Sequence, residues 1–130
     1  MTLNDVQNAK YIALETFRKS GQGVITPVWM AADGGNFYVW TGGSSGKAKR
    51  IRANRRVRLC ASDMRGTPEG EWMEAQARVL DQPADVQTTE RRMAAKYGLI
   101  FRLFGVMGKL SGRVGNRAAL EISPVAEVSQ

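Results

Sequence analysis

The sequence predicts a mainly β chain with short helices (α+β), its roughly six antiparallel strands closing into a small barrel. Short runs rich in β-branched and aromatic residues recur along the chain, separated by glycine-rich turns. Few helical patterns interrupt them: one follows residue 46, between strands, and a longer one opens at Pro83. At 130 residues, 43% hydrophobic and 24% charged, the chain has enough apolar content to bury a core as one domain spanning 1–130.

Each element has a local reason. Thr2, followed by Leu3, Val6 and Ala9, predicts a short capped amphipathic helix. Residues 11–18 read as a strand closed by a turn at Ser20-Gly21-Gln22-Gly23. A second strand covers 24–31, and Asp33-Gly34-Gly35 signals a hairpin into a third over 36–41. The simplest connection makes these three an antiparallel meander. Gly42 to Gly46 form a flexible loop, and 47–53 a helix with Ile51 as its apolar anchor. Residues 57–62 return to strand, 65–70 form a loop, and 72–80 alternate as another strand. Pro83 opens a helix to Tyr97, with Gly98 as its stop. A further helical piece over 99–110 precedes a last strand at 118–122.

Composition narrows the chemistry. The net charge of +7 and pI near 10.1 point to an anionic partner: nucleic acid, a membrane surface or a phosphorylated small molecule. Cys60 is the one cysteine, so no intrachain disulfide forms, and its apolar neighbours Val57, Leu59 and Ala61 predict a buried thiol. The chain has no histidine, which argues against a zinc site and a histidine-dependent triad. The first residues lack the blocks of a signal peptide, and no run approaches the roughly 20 apolar residues of a membrane span. A cytoplasmic, soluble protein is expected.

The segment with chemistry runs from Thr41 to Arg50. From Lys47 to Arg58, seven of twelve residues are basic, so their distribution around a helix decides what they do. Lys47 and Arg50 share one face, Ala48 and Ile51 an inward one, and Lys49 and Arg52 a solvent-facing third. Glycine backbone at Gly42, Gly43 and Gly46 admits an anion close to the helix N-terminus, where Ser44 or Ser45 could add a hydroxyl. Lys47 would hold a phosphate as a point charge and Arg50 in bidentate fashion. A solvated charged helix has the same local composition, and composition leaves both readings open. The nucleotide P-loop does not fit, because Gly42 and Gly46 are too close and Ala48 follows Lys47.

A resemblance narrows this further. Tyr11-Ile12-Ala13-Leu14-Glu15-Thr16-Phe17-Arg18, Val24-Ile25-Thr26-Pro27-Val28-Trp29 and Tyr38-Val39-Trp40-Thr41 carry its first part. Ser45-Gly46-Lys47-Ala48-Lys49-Arg50-Ile51-Arg52 and Asn54-Arg55-Arg56-Val57 carry the rest. In order and spacing, residues 10–80 resemble the split β-barrel flavoproteins related to pyridoxamine 5′-phosphate oxidase, most of all their deazaflavin (F420) dependent reductases. From Pro83 onward the likeness is weak apart from the closing strand.

The resemblance implies a six-stranded antiparallel split β-barrel, a homodimer with two cofactor sites at the subunit interface. Thr26, Pro27, Val28 and Trp29 would line the ring system, largely through backbone. Thr41 and Ser45 match positions that bond the ribityl chain and phosphate; Gly46, Lys47 and Arg50 belong to the phosphate end. Trp72 would come from the partner subunit and border the same site. One departure is Arg56, where the family often has a turn proline. No catalytic side chain and no metal ligand is implied: the cofactor carries the hydride and the barrel orients it.

F420 has a phosphate, a lactyl group and an oligoglutamate tail, all anionic, which suits a chain at +7 better than FMN with its phosphate alone. The expected function is therefore an F420-dependent oxidoreductase acting on a small organic acceptor. An FMN-binding oxidoreductase or flavin carrier is the alternative, and a nucleic-acid-binding small barrel comes third. That third class calls for exposed aromatics among the basic residues, and Lys47 to Arg58 contains none. Of the tryptophans, Trp29 is a candidate for ring contact, and Trp40 more a core or interface residue. The 99–110 piece reads as a packed or lid-like helix, with Arg102, Lys109 and Arg113 extending the basic surface. Glu71 and Glu74 flank Trp72 with no acid–base partner evident.

Overall fold

The computed structural model describes residues 9–98 and 117–125. The helix expected from Thr2 and the helical piece over 99–110, with Arg102, Lys109 and Arg113, lie outside the described residues. The strands are β1 (Tyr11–Phe17), β2 (Gly23–Val28), β3 (Ala31–Asp33), β4 (Asn36–Gly42), β5 (Arg56–Ser62), β6 (Met73–Leu80) and β7 (Arg117–Pro124). They form one antiparallel sheet in the order β2-β1-β5-β6-β7-β4-β3. Two helices stand among the described residues, α1 (Gly46–Ala53) and α2 (Pro83–Tyr97).

The strand order forces curvature. β2 and β3 occupy opposite edges of the sheet, yet only Trp29 and Met30 separate them in the chain. Three Cα steps from Val28 to Ala31 span at most about 11 Å. Seven flat strands spaced about 4.8 Å apart would hold their edges about 29 Å apart. The sheet must curl until its edges approach each other, which is the split-barrel form.

This corrects two sequence expectations. The strand expected over 24–31 is cut at Trp29 and Met30, so there are seven strands among the described residues instead of six. The three-strand meander is likewise interrupted: Val28 pairs with Ile12 of β1, whereas Ala31 pairs with Tyr38 of β4. Periodicity sees one extended segment, because residues on both sides of the crossing are extended. Nothing local says that they belong to different edges.

The crossing is tied down by the end of α2. The Met30 N–H donates to the Tyr97 hydroxyl at 2.9 Å, and Lys96 Nζ donates to the Met30 carbonyl. Lys96 Nζ also donates to the carbonyl of Ala9 at 2.9 Å, and the Tyr97 hydroxyl reaches that of Lys10 at 2.9 Å. The Trp29 and Tyr97 rings stack with centroids 4.7 Å apart and planes 12° from parallel. Gly98, at φ 63, ends the helix immediately afterwards, as its stop signal predicted.

Inside the curl, Ile12 and Leu14 of β1 meet Val39, Val57, Leu120 and Ile122 in one core. α1 plugs into it: Ala48 is 0% exposed and Ile51 1%, the i,i+3 pair read from the sequence. Cys60 is buried, as expected, its thiol directed at the Gly70 carbonyl.

On the outer face, Glu15 stands opposite Arg58 in the β1–β5 register and forms an ion pair with it at 2.5 Å. The Arg58 guanidinium lies over the Trp72 ring, 4.8 Å from its centroid. Arg56 is the first residue of β5 and not a turn residue; its pairing with Glu74 at 2.8 Å gives that carboxylate a structural partner. No described helix is long and apolar enough to cross a membrane.

Ile51→Ala removes the anchor of α1 from a packed core and is expected to cost about 2–5 kcal/mol in urea unfolding. A loss below about 1 kcal/mol would show that α1 is not held by this side chain.

Candidate anion and cofactor site

The site is built where β4 hands over to α1. Ser45 is the N-cap of α1: its backbone is extended, and its Oγ accepts from the Ala48 N–H at 3.2 Å. Thr41 Oγ1, at the end of β4, donates to the same oxygen at 3.3 Å. With both lone pairs of Ser45 occupied, its hydroxyl proton remains to be donated outward. The first intrahelical bond is Lys49 N–H to the Ser45 carbonyl at 3.0 Å, so the amides of Gly46 and Lys47 precede it. No acidic residue occupies the first turn, so the positive end of the helix dipole is uncompensated.

Two cations crowd this end. Arg50 Nε donates to Thr16 Oγ1 at 2.6 Å, and Thr16 is 1% exposed. A Cβ on Gly46 would lie 2.8 Å from Arg50 Nη1, so the guanidinium sits against the start of the helix. Burial holds the Lys47 ammonium below its ordinary pKa of 10.5, and the charge of Arg50 adds to that. Burial also disfavours the charge on Arg50, followed by repulsion from Arg18. Arg52 does not simply point to solvent: it donates to the Gly43 carbonyl at 2.6 Å and braces the loop. Lys49 is exposed, as expected.

The cations of the described residues are satisfied in different ways. Arg56, Arg58, Arg78, Arg92 and Arg117 all have a carboxylate partner. Lys47 and Arg50, both partly buried, have none among the described residues; nor has the partly buried Lys96, whose ammonium donates to the Ala9 and Met30 carbonyls instead, while Arg18 is exposed. A half-buried cation without counter-charge is costly unless carbonyls, as at Lys96, or an anion satisfy it, and no carbonyl is seen to accept from Lys47 among the described residues.

The expected ring segment lies close by. Thr26 pairs with Leu14, and Val24 with Thr16, so Thr26 shares a sheet face with the threonine that holds Arg50. Two residues along β2 separate the two points, about 7 Å. Thr26 Oγ1 is buried with no hydrogen-bond partner among the described residues. Buried polar atoms are nearly always paired, so this one fits a ligand hydrogen bond. β2 is also a sheet edge, and half of its backbone groups have no ladder partner. An elongated ligand with a polar ring at one end and a phosphate at the other fits this set of donors.

The remaining predicted residues are distributed unevenly. Val28 is 7% exposed and belongs to the core, leaving only its backbone for a ligand. Pro27 is exposed and meets the loop after β5, where a Cβ on Gly66 would lie 3.3 Å from Pro27 Cδ. Trp29 has one ring face taken by Tyr97. Trp40 donates through Nε1 to Glu90 at 3.2 Å, beside Arg117, and packs against α2. Trp72 is with Arg58 and Glu15 on the outer face, opposite to the face of Thr16 and Thr26, so one chain does not bring it to the others. Sequence reasoning missed Thr16, Arg18 and Tyr97. Thr16 and Arg50 are 34 positions apart, and no local pattern joins them.

Comparison with known proteins identifies the family and the fold. The pyridoxamine 5′-phosphate oxidase family matches residues 3–129. The chain belongs to that family. A conserved hypothetical protein from Mycobacterium tuberculosis superimposes with a TM-score of 0.72 at 18% identity, covering 97% of this chain and 82% of that one. The heme storage protein HutZ from Vibrio cholerae gives 0.68 at 13% identity, over 95% of this chain and 87% of that one. An F420 reductase gives 0.62 at 16% identity, over 97% and 95%. At these identities the likeness speaks for the fold. No curated protein sequence matches the chain.

Ser45→Ala removes the cap acceptor and is expected to cost about 1 kcal/mol in urea unfolding, whereas Ser45→Gly costs a few tenths. Equal, negligible effects would show that the cap does not hold α1.

Proposed function

We propose that this chain binds F420 between the N-terminus of α1 and the edge strand β2, and acts as an F420-dependent oxidoreductase on a small organic acceptor. The observation that carries the reading is the half-buried pair Lys47 and Arg50, without carboxylates, on the same side as the unpartnered Thr26 hydroxyl. When bound, the deazaflavin supplies the hydride chemistry. The chain does the rest. Lys47, Arg50, the Ser45 hydroxyl and the first amides of α1 bind the phosphate, and Thr26 and the β2 backbone orient the ring.

FMN is the alternative cofactor, since its phosphate asks for the same donors and the family name is that of an oxidase. The +7 charge favours the ligand with more anionic groups. We also propose that the working unit is a homodimer. Trp72, on the outer face with Ile25 (44% exposed) and Pro27, is positioned to meet a second copy of the chain.

Titration of the purified protein with F420 and with FMN tests the reading. Lys47→Ala with Arg50→Ala is expected to weaken binding at least about tenfold per residue, as loss of a charge-assisted hydrogen bond does. Unchanged affinity would reject the phosphate site. Tight, salt-sensitive binding of single-stranded DNA, with no affinity for either cofactor, would favour the nucleic-acid reading instead.

The pH dependence has a definite sign. An anion favours protonated Lys47, so binding takes up a proton once pH exceeds the lysine's lowered pKa. Cofactor affinity should therefore fall with rising pH before 10.5 is reached, and Lys47→Ala should flatten that fall. A wild-type profile as flat as the variant's would remove Lys47 from the site.

A further inference from the structure

We infer that Tyr97, the last residue of α2, is a positioning residue for the cofactor ring: it holds the Trp29–Met30 crossing and, through it, the Thr26–Val28 edge against which the ring lies. This rests on the cofactor reading above and extends it to a helix that contains no predicted site residue.

Met30 lies between two strands that belong to opposite sheet edges, so its N–H and C=O fall outside both ladders. It is 1% exposed, and water cannot replace the missing partners. Tyr97 and Lys96 replace them. The Tyr97 hydroxyl accepts from the Met30 N–H at 2.9 Å; its proton goes to the Lys10 carbonyl at 2.9 Å, with that of Met30 at 3.1 Å as the alternative. Lys96 Nζ spans the carbonyls of Ala9 and Met30. One helix end thus fixes both the entry to β1 and the exit from β2.

Those two points are neighbours in the sheet, because Ile12 pairs with Val28. The ladder holds β2 sideways against β1, and the clamp holds its end. The stacked Trp29–Tyr97 pair limits rotation at the same point. None of these bonds involves the phosphate end, where Arg50 rests on Thr16 and Ser45 on Thr41 and Ala48. The two ends of the site are therefore held by separate devices, and a change at Tyr97 acts on one of them.

Tyr97→Phe keeps the stacked ring and removes the hydroxyl. The probes are FMN and F420, the ring-and-ribityl fragment of each without phosphate (riboflavin for FMN), and inorganic phosphate as competitor. In whichever pair the wild type binds, Tyr97→Phe should weaken cofactor and fragment by the same factor, about tenfold for one lost buried hydrogen-bond set. It should also move the bound ring's visible band and leave the phosphate competition constant unchanged. Lys47→Ala should do the reverse, weakening cofactor and phosphate while sparing the fragment.

Wild-type fragment affinity and an unmoved band in Tyr97→Phe would overturn the inference, as would an equal loss of phosphate affinity, the mark of a general structural defect. If Tyr97→Phe loses its cooperative unfolding transition, Lys96→Met carries the same expectation. Amide exchange in the wild type adds a second readout: cofactor binding must slow exchange at Met30, and an unchanged rate overturns the proposal. A wild type that binds neither FMN nor F420 sinks the cofactor reading, and this is seen before any Tyr97 variant is made.

Discussion

The structure depends on a two-residue crossing. Trp29 and Met30 join strands at opposite edges of a seven-stranded sheet, and a span of about 11 Å between them is incompatible with a flat sheet. Closing that distance curls the sheet and creates the interior that Ile12, Leu14 and Ile51 fill. It also takes Met30 out of the ladders and buries it, an arrangement that would leave two backbone groups unpaired. Tyr97 and Lys96 supply the partners, so the end of α2 is as much a part of the barrel as any strand.

Charge is sorted by the same architecture. On the outer face, arginines meet carboxylates across the ladder, as with Glu15 and Arg58, or Arg56 and Glu74. At the α1 end, Lys47 and Arg50 flank the buried Ala48 and Ile51, and Arg50 meets a neutral threonine in place of a carboxylate. A solvated helix would carry its cations at little cost. These two are partly withdrawn from water, which lowers the pKa of both. That difference sets these two cations apart from a merely basic surface, and composition is identical in the two cases.

Much of the fold was legible because it is local. Pro83 and Gly98 as helix limits, the Asp33-Gly34-Gly35 hairpin and the buried Cys60 all follow from short-range chemistry that the chain carries wherever it goes. The face shared by Lys47 and Arg50 follows from helical spacing alone. Family resemblance added the β2 segment, and the match over residues 3–129 shows the family.

What the sequence determined by itself is most of the described elements and the basic end of α1. The tertiary structure decided which strands are neighbours, that Arg50 leans on Thr16, that the Thr26 hydroxyl on the same face has no partner among the described residues, and that Trp72 faces the other way. It also cut one expected strand into two. The reason is range: propensity, capping and periodicity act over a few residues, whereas a sheet edge, a buried orphan atom or a clamp between positions 30 and 97 exists only once distant segments are packed together.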